Sequence, residues 1–182
     1  MSTTNQGSRS SNLERARSAL KLRDFETAER HARACLRDSP DSDEARIALG
    51  TVYLRTDRAE EALSAFSKVL ARRPAHVDAL LNTGAAYLRL GKNRDAINAL
   101  EKALAADPSN AEAYFTRGNA HRQSGNLKMA EKDYSKAIEF DSEHVLAYNN
   151  LGVVYRAMGD PEKAVRVFWK GLQVDPNYPS FH

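Results

Sequence analysis

The side chains that could do chemistry are scattered along the chain. No two histidines are four residues apart, as a metal site on one helical face would require. Acidic residues are plentiful, but catalytic carboxylates need a desolvated pocket that shifts their pKa values, and these residues fall mainly on faces expected to be solvated. No glycine-rich loop suited to phosphate is present. We therefore expect no enzymatic activity, no cofactor and no metal, and His121 is interpreted as a packed core residue; the other histidines are His31, His76, His144 and His182.

Composition and charge narrow the class of protein. The 182 residues have room for one domain or one short repeat array, and 42% apolar with 28% charged residues is the balance of a protein that folds in water. The net charge of +3 comes from interleaved charges of both signs, which disfavours a nucleic-acid partner. The single cysteine, Cys35, cannot form an internal disulfide. No secretory signal or membrane-length apolar run is found, so we expect a cytoplasmic protein without a membrane partner.

Three sets of residues recur with a period of 34. Apolar residues within each period fall at helical spacing in two runs that are separated by a turn, so each unit is predicted to be a helical hairpin. Small residues in two of the sets would let the helices approach closely, with Phe66 and Tyr134 among the large residues beside them. The sets are Ala28, Ala62, Ala96, Ala130 and Ala164; Gly50, Gly84, Gly118 and Gly152; and Pro40, Pro74, Pro108 and Pro176, with Ser142 in the remaining place.

These columns, as in LGTVY at residues 49–53 followed by Ala62, Phe66 and Pro74, resemble the tetratricopeptide repeat (TPR) family from Arg9 to about Pro176. The resemblance implies an all-α fold, an α-solenoid of five antiparallel helix-turn-helix repeats that form a right-handed superhelix. The predicted units are residues 9–42, 43–76, 77–110, 111–144 and 145–176. A flexible tail is predicted at residues 1–8 and a short tail at residues 177–182.

The resemblance also implies a binding site, since the first helices of this family line a concave groove for a peptide or a partner's helix. Asparagine amides can both donate to and accept from a peptide backbone, and arginines can pair with carboxylates. Solvated helix faces and helix C-termini also carry such residues without any ligand. Removing the core columns leaves as groove candidates Ile47, Leu54, Leu81, Asn82, Leu88, Arg89, Phe115, Asn119, Arg122, Asn149, Asn150 and Arg156.

Some family members grip acidic chaperone tails through lysine, asparagine and arginine spread over three units. No register of this sequence supplies that set, so such a ligand is disfavoured; the second register, for example, offers Ile47, Thr51, Asn82, Glu112 and Thr116.

The second helix of the last unit carries an apolar patch. Trp169 stands in a column that elsewhere holds Arg33, Ser67, Glu101 and Ser135. Aromatic anchors in a contiguous apolar patch are typical of interfaces. We therefore expect self-association or partner docking there, unless Tyr178 and Phe181 fold back over the patch or the chain belongs to a longer protein. The patch consists of Val165, Phe168, Trp169 and Leu172.

The sequence thus predicts a scaffold or adaptor for a protein or peptide partner, with a possible homo-oligomer through its last repeat. A self-assembling structural unit and a regulatory subunit of an enzyme complex are the alternatives. RNA recognition by a helical-repeat code is disfavoured, because it needs reading side chains at fixed positions of every unit, and the columns change identity too freely.

Overall fold

The computed structural model describes residues 3–178, with side chains described from residue 11 onward. Within these residues all regular secondary structure is α-helical, which confirms the all-α prediction. The ten helices are α1 (Thr3–Lys21), α2 (Phe25–Asp38), α3 (Asp43–Arg55), α4 (Ala59–Leu70), α5 (Val77–Arg89), α6 (Asn93–Ala106), α7 (Ala111–Gln123), α8 (Leu127–Phe140), α9 (Val145–Ala157) and α10 (Pro161–Val174).

The chain divides into two compact units, residues 1–90 and 91–182. In the first unit α1 packs on α2, α2 on α3, α3 on α4 and α4 on α5, and α3 also contacts α1 and α5. In the second unit α6 packs on α7, α7 on α8, α8 on α9 and α9 on α10. Each unit is therefore a stack of helices in chain order, as hairpins with short turns require.

The beginnings of the helices follow from local sequence. Ser42, Asn110 and Asp160 are N-cap residues whose side chains accept hydrogen bonds from backbone N–H groups three residues later. Pro161 follows the last of these caps at the first helical turn, where its missing N–H costs nothing. Three of the turns between hairpin helices contain a glycine in the left-handed region, as Gly125 at φ 77° illustrates.

Close helix contacts depend on the glycine column, as predicted. A Cβ atom built on Gly50 would lie 2.5 Å from Phe66, and one on Gly118 would lie 2.7 Å from Tyr134. Phe66 and Tyr134 are fully buried, and so are the repeating alanines Ala28, Ala62, Ala96 and Ala130. The large side chain of one helix thus fills the space that glycine leaves on its partner, at the density of a protein interior.

The amino-terminal end differs from the prediction. Helix α1 begins at Thr3, so residues 3–8 are helical, whereas the sequence predicts a flexible tail over residues 1–8. The stretch contains no proline, and the helix continues through it without losing a backbone donor.

Candidate functional site

The second unit brings three predicted groove residues together as an asparagine cluster, formed by Asn119 of α7 with Asn149 and Asn150 of α9. Asn150 Nδ2 donates to Asn119 Oδ1 at 2.9 Å, and Asn149 Nδ2 donates to Asn150 Oδ1 at 3.3 Å. All three side chains are partly exposed. The first helices of two successive hairpins therefore share one polar surface.

Tyr134 supports this cluster from the core. Its hydroxyl group donates to Asn119 Oδ1 at 2.8 Å and accepts from Arg122 Nε at 3.3 Å. Burial raises the pKa of Tyr134, so the phenol stays protonated and keeps its donor role. A fully buried ring thus fixes the orientation of Asn119 at the surface.

The remaining groove candidates of the second unit differ in their surroundings. Arg156 on α9 is exposed. Phe115 is partly buried, because its ring packs on His144 at 4.5 Å and on Tyr134 at 5.9 Å between centroids. Arg122 is therefore tied to the asparagine cluster through Tyr134, Arg156 lies two turns after Asn149 on α9, and Phe115 belongs partly to the interior.

The candidates in the first unit form a more apolar surface on α3 and α5, where Ile47, Leu81 and Leu88 are partly exposed. Asn82 Nδ2 donates to the carbonyl of Asp78 one turn earlier, at 2.7 Å. The Nη2 atom of Arg89 donates to Leu54 O at 3.3 Å. Both polar side chains are thus engaged within the chain.

The prediction that Leu54 belongs to the groove surface is wrong. Its side chain is 9% exposed and lies in a buried cluster with Ala16 of α1, Leu49 of α3 and Ala86 of α5. It therefore packs neighbouring first helices together and offers almost no surface to a ligand. Removing the core columns by sequence period placed it outside, because that procedure ignores contacts between successive hairpins.

The predicted patch on α10 contains two exposed residues and two that pack. Trp169 is 63% exposed and Val165 is 54% exposed. Phe168 instead lies against Gly152, where an added Cβ would be 2.2 Å from its ring, and Leu172 is partly buried. Tyr178 is partly buried, and Phe181 lies outside the described residues. Trp169 and Val165 are therefore the part of the patch that another molecule could reach.

A buried ion pair between α7 and α8 was missed by the sequence analysis. Asp133 is fully buried and accepts hydrogen bonds from Arg117, and the ring of buried His121 lies beside it with Nε2 3.7 Å from Oδ2. The burial of His121 agrees with its interpretation as a core residue. The sequence contained a signal for this pair, because both charged residues stand where two other repeats have apolar ones. Asp133 aligns with Ala65 and Val167, and Arg117 aligns with Leu49 and Leu151.

The described residues contain no group of three or more histidine, cysteine or acidic side chains placed to hold a metal ion. Over the same part of the chain, no helix has the length and apolar character needed to cross a lipid bilayer.

Family models described as tetratricopeptide repeat match most of the sequence. One matches residues 13–77, 48–92 and 81–143, and another matches residues 145–178. A comparison with curated proteins finds no match.

Solved structures with a similar fold include a thermophilic TPR protein of Thermus thermophilus, with a TM-score of 0.84, 20% identity, and coverage of 95% of this chain and 94% of that one. MamA of Desulfovibrio magneticus RS-1 has a TM-score of 0.77 and 24% identity over 94% of this chain and 97% of that one. YrrB, a TPR protein with an unusual peptide-binding site, has a TM-score of 0.69 and 23% identity over 93% and 88%. These likenesses show that the chain has the all-α fold of TPR proteins.

Proposed function

The chain belongs to the tetratricopeptide repeat family, and on that premise we propose that it is an interaction scaffold that binds an extended peptide segment of a partner protein. The binding surface in the second unit consists of the asparagine cluster with Arg122 and Arg156. The first unit has a surface of its own, formed by the partly exposed residues of α3 and α5. YrrB, which shares the fold, has a peptide-binding site, and the proposal extends that kind of ligand to this chain.

The observation that carries the proposal is the way the asparagine cluster uses its acceptors. Asn119 Oδ1 accepts from both Tyr134 and Asn150, and Asn150 Oδ1 accepts from Asn149. Each carboxamide has two N–H donors, and the bonds within the cluster use only one from Asn149 and one from Asn150. The cluster therefore meets a ligand mainly with donors.

Donors on a fixed support suit a ligand rich in acceptors, and an unfolded peptide carries a carbonyl group at every residue. Arg122 and Arg156 add charge-assisted donors that favour carboxylate side chains in the same peptide. A partner's helix fits this surface less well, because its backbone carbonyls are already bonded within the helix.

The test is a selection of peptides from a displayed random library against the full chain, followed by titration of one selected, dye-labelled peptide by fluorescence anisotropy. We expect Asn150→Ala to weaken binding about tenfold, which corresponds to about 1.4 kcal/mol. The matched control is Asn98→Ala, which removes an exposed asparagine of α6, and it should bind as the parent does. Parent-like affinity in both Asn149→Ala and Asn150→Ala would rule out the asparagine cluster as the site.

A second candidate function is self-assembly through the α10 patch, and the exposure of Trp169 favours it. An indole that is 63% exposed beside a valine that is 54% exposed is an apolar surface that a second copy of the chain could bury. Light scattering across concentration measures the assembly directly. Trp169→Arg should return an oligomer to 20.2 kDa, whereas Leu146→Arg, at an exposed leucine of α9, should leave the mass unchanged.

A parent chain that is a folded monomer at every concentration would exclude self-assembly and leave peptide binding as the function. The remaining alternative, a regulatory subunit, predicts co-purification with a catalytic partner from the source cells.

A further inference from the structure

A cleft of about 370 Å³ opens in the first unit where α1 and α3 end. Its volume is at the lower end of the range for small-ligand sites, so it suits one residue and not a long segment. Most of it lies beyond the groove candidates named above. The cleft is lined by Leu20, Lys21, Arg23, Phe25, Thr51 and Arg55.

The floor of the cleft is apolar and fixed by the core. Leu20 and Phe25 are partly buried, and both pack against the buried cluster of Ala19, Ala28 and Val52. These two side chains therefore present apolar surface that is held in place from behind.

The rim of the cleft carries three cations, of which Lys21 and Arg55 lie in the last turns of α1 and α3. Lys21, Arg23 and Arg55 are exposed, and none of them forms an ion pair with an acidic residue in the part of the chain that the structure describes. The acidic residues closest to them in sequence are otherwise engaged. Asp24 caps α2 by accepting from Thr27 N at 3.1 Å, and Asp57 lies 3.7 Å from Arg89 Nη2.

Arg23 also has an unusual backbone conformation. Its φ is 60°, in the left-handed region, and the corresponding turn position is Asp57, at φ 62°, in the next hairpin and Gly91, Gly125 or Gly159 in the others. A side chain at this position is disfavoured relative to glycine. Because Asp57 shares this conformation, the strain itself does not mark a ligand site, but the position does place the guanidinium group of Arg23 at the cleft.

We infer that this cleft is a subsite for the C-terminal residue of a bound peptide, with an apolar side chain against Leu20 and Phe25 and the α-carboxylate among the three cations. The inference rests on the proposed function, because it takes a peptide as the ligand, and it adds the chemistry of the peptide's end. An internal acidic residue brings charge without a large apolar group, and an internal apolar residue brings no charge. Only the last residue of a chain carries both on one Cα atom, and arginine pairs well with a carboxylate.

The test compares two small probes that differ only in charge, N-acetylphenylalanine and its C-terminal amide, in titrations of the ¹⁵N-labelled full chain followed by NMR. We expect the carboxylate to shift the amide signals of Thr51 and Arg55 and the Nε signal of Arg23. The amide probe should bind at least about tenfold more weakly, and added salt should remove the difference. Equal shifts from the two probes would overturn the inference.

Arg23→Gly separates the binding role from a structural one. It should abolish the preference for the carboxylate while raising the melting temperature by about 2–4 °C, because glycine relieves the strained φ. Lys132→Ala, which removes an exposed cation of α8, is the control with the same change in net charge and should keep the preference. Arg55→Gln is a second variant, which leaves the turn intact and should lose the preference for the carboxylate.

Three outcomes show which hypothesis has failed. Inorganic phosphate that shifts the same signals as strongly as N-acetylphenylalanine would overturn the peptide assignment and mark a general anion site. If the selected peptides depend on Asn150 but bind equally well with a free or an amidated C-terminus, only this inference fails. If no peptide is selected at all, the proposed function fails with it.

Discussion

Asp133 of α8 accepts one hydrogen bond from Arg117 Nε at 2.9 Å and another from Arg117 Nη2 at 2.7 Å, and its side chain is 1% exposed. A bidentate pair of this kind holds two helices in one alignment, because a shift along either axis breaks both bonds. At these positions the α3–α4 hairpin has Leu49 and Ala65, and the α9–α10 hairpin has Leu151 and Val167. The pair therefore gives the α7–α8 hairpin a specific alignment that packing alone supplies elsewhere.

Removing one member of this pair should be costly. Asp133→Ala leaves the guanidinium of Arg117, which is 17% exposed, without its partner, and we expect the free energy of unfolding to fall by about 3–5 kcal/mol. Urea unfolding followed by the fluorescence of Trp169, the single tryptophan and a residue of the same unit, measures the change.

The sequence itself supplies the matched control for that variant. Arg117→Leu combined with Asp133→Ala reproduces the pairing of Leu49 with Ala65, and the double variant should match the parent or exceed it by about 1–4 kcal/mol. A double variant as unstable as Asp133→Ala alone would show that the loss comes from something other than an unpaired charge.

Replacing a glycine by alanine at a helix contact should cost more stability where the facing ring is less free to move. Gly118→Ala places a Cβ atom 2.7 Å from Tyr134, which is fully buried and held by two hydrogen bonds, so we expect a loss of about 1–3 kcal/mol. Gly152→Ala comes closer, at 2.2 Å, but Phe168 is partly exposed and can shift. Thermal unfolding should therefore show the smaller loss for Gly152→Ala, and the opposite order would contradict this explanation.

Stability should fall in mild acid because of His121. Burial lowers its pKa below the ordinary 6.5, with Arg117 adding to the effect and Asp133 opposing it. Below pH 6.5 the unfolded chain therefore takes up a proton that the folded chain resists, so stability decreases as the pH falls towards the folded-state pKa. The slope contributed by one such proton is at most about 1.4 kcal/mol per pH unit.

The variant that checks this is His121→Tyr, since Tyr53 and Tyr155 hold the corresponding positions. Unfolding measured between about pH 7 and pH 5 should show a flatter dependence for the variant. Part of the slope should remain, because burial also lowers the pKa of His31. An unchanged slope would mean that His121 is not the group responsible.

Loss of the Tyr134 hydroxyl should weaken both folding and peptide binding. Tyr134→Phe keeps the ring against Gly118 but removes the donor to Asn119 and the acceptor for Arg122. We expect stability to fall by about 0.5–1.5 kcal/mol and the affinity for a selected peptide to fall several-fold, because Asn119 loses its fixed orientation. Calorimetry and anisotropy on the same preparation separate the two effects, and parent-like affinity would place Asn119 outside the binding surface.

The fold was predictable because each helical hairpin repeats the same packing problem. The glycine at position 118 and the large residue at position 134 recur in other units, and a period of 34 residues exposes both. The start of α1 was not predictable in this way, because residues 3–8 precede the first repeat column and carry no apolar pattern.

The candidate site was less accessible to sequence reasoning. The types and spacing of Asn119, Asn149 and Asn150 suggested amide chemistry, but the choice of internal partner depends on distances that only the packed helices define. The exposure expected for Leu54 was wrong and the burial of Asp133 was missed for one common reason. The burial of a side chain is decided by neighbouring helices and not by its own position in the repeat. Arg23 was overlooked because only the packed helices place it at a cleft beside Leu20 and Phe25.

The ion pair has a further consequence for how such an array can be rearranged. Arg117 and Asp133 are 16 residues apart within one hairpin, as are Gly118 and Tyr134. A genetic crossover in the turn at residues 124–126 would separate the two charges and bury one of them alone. Crossovers before α7 or after α8 would move them together. Whole hairpins are therefore the modules that duplication or protein engineering can exchange here, and single helices are not.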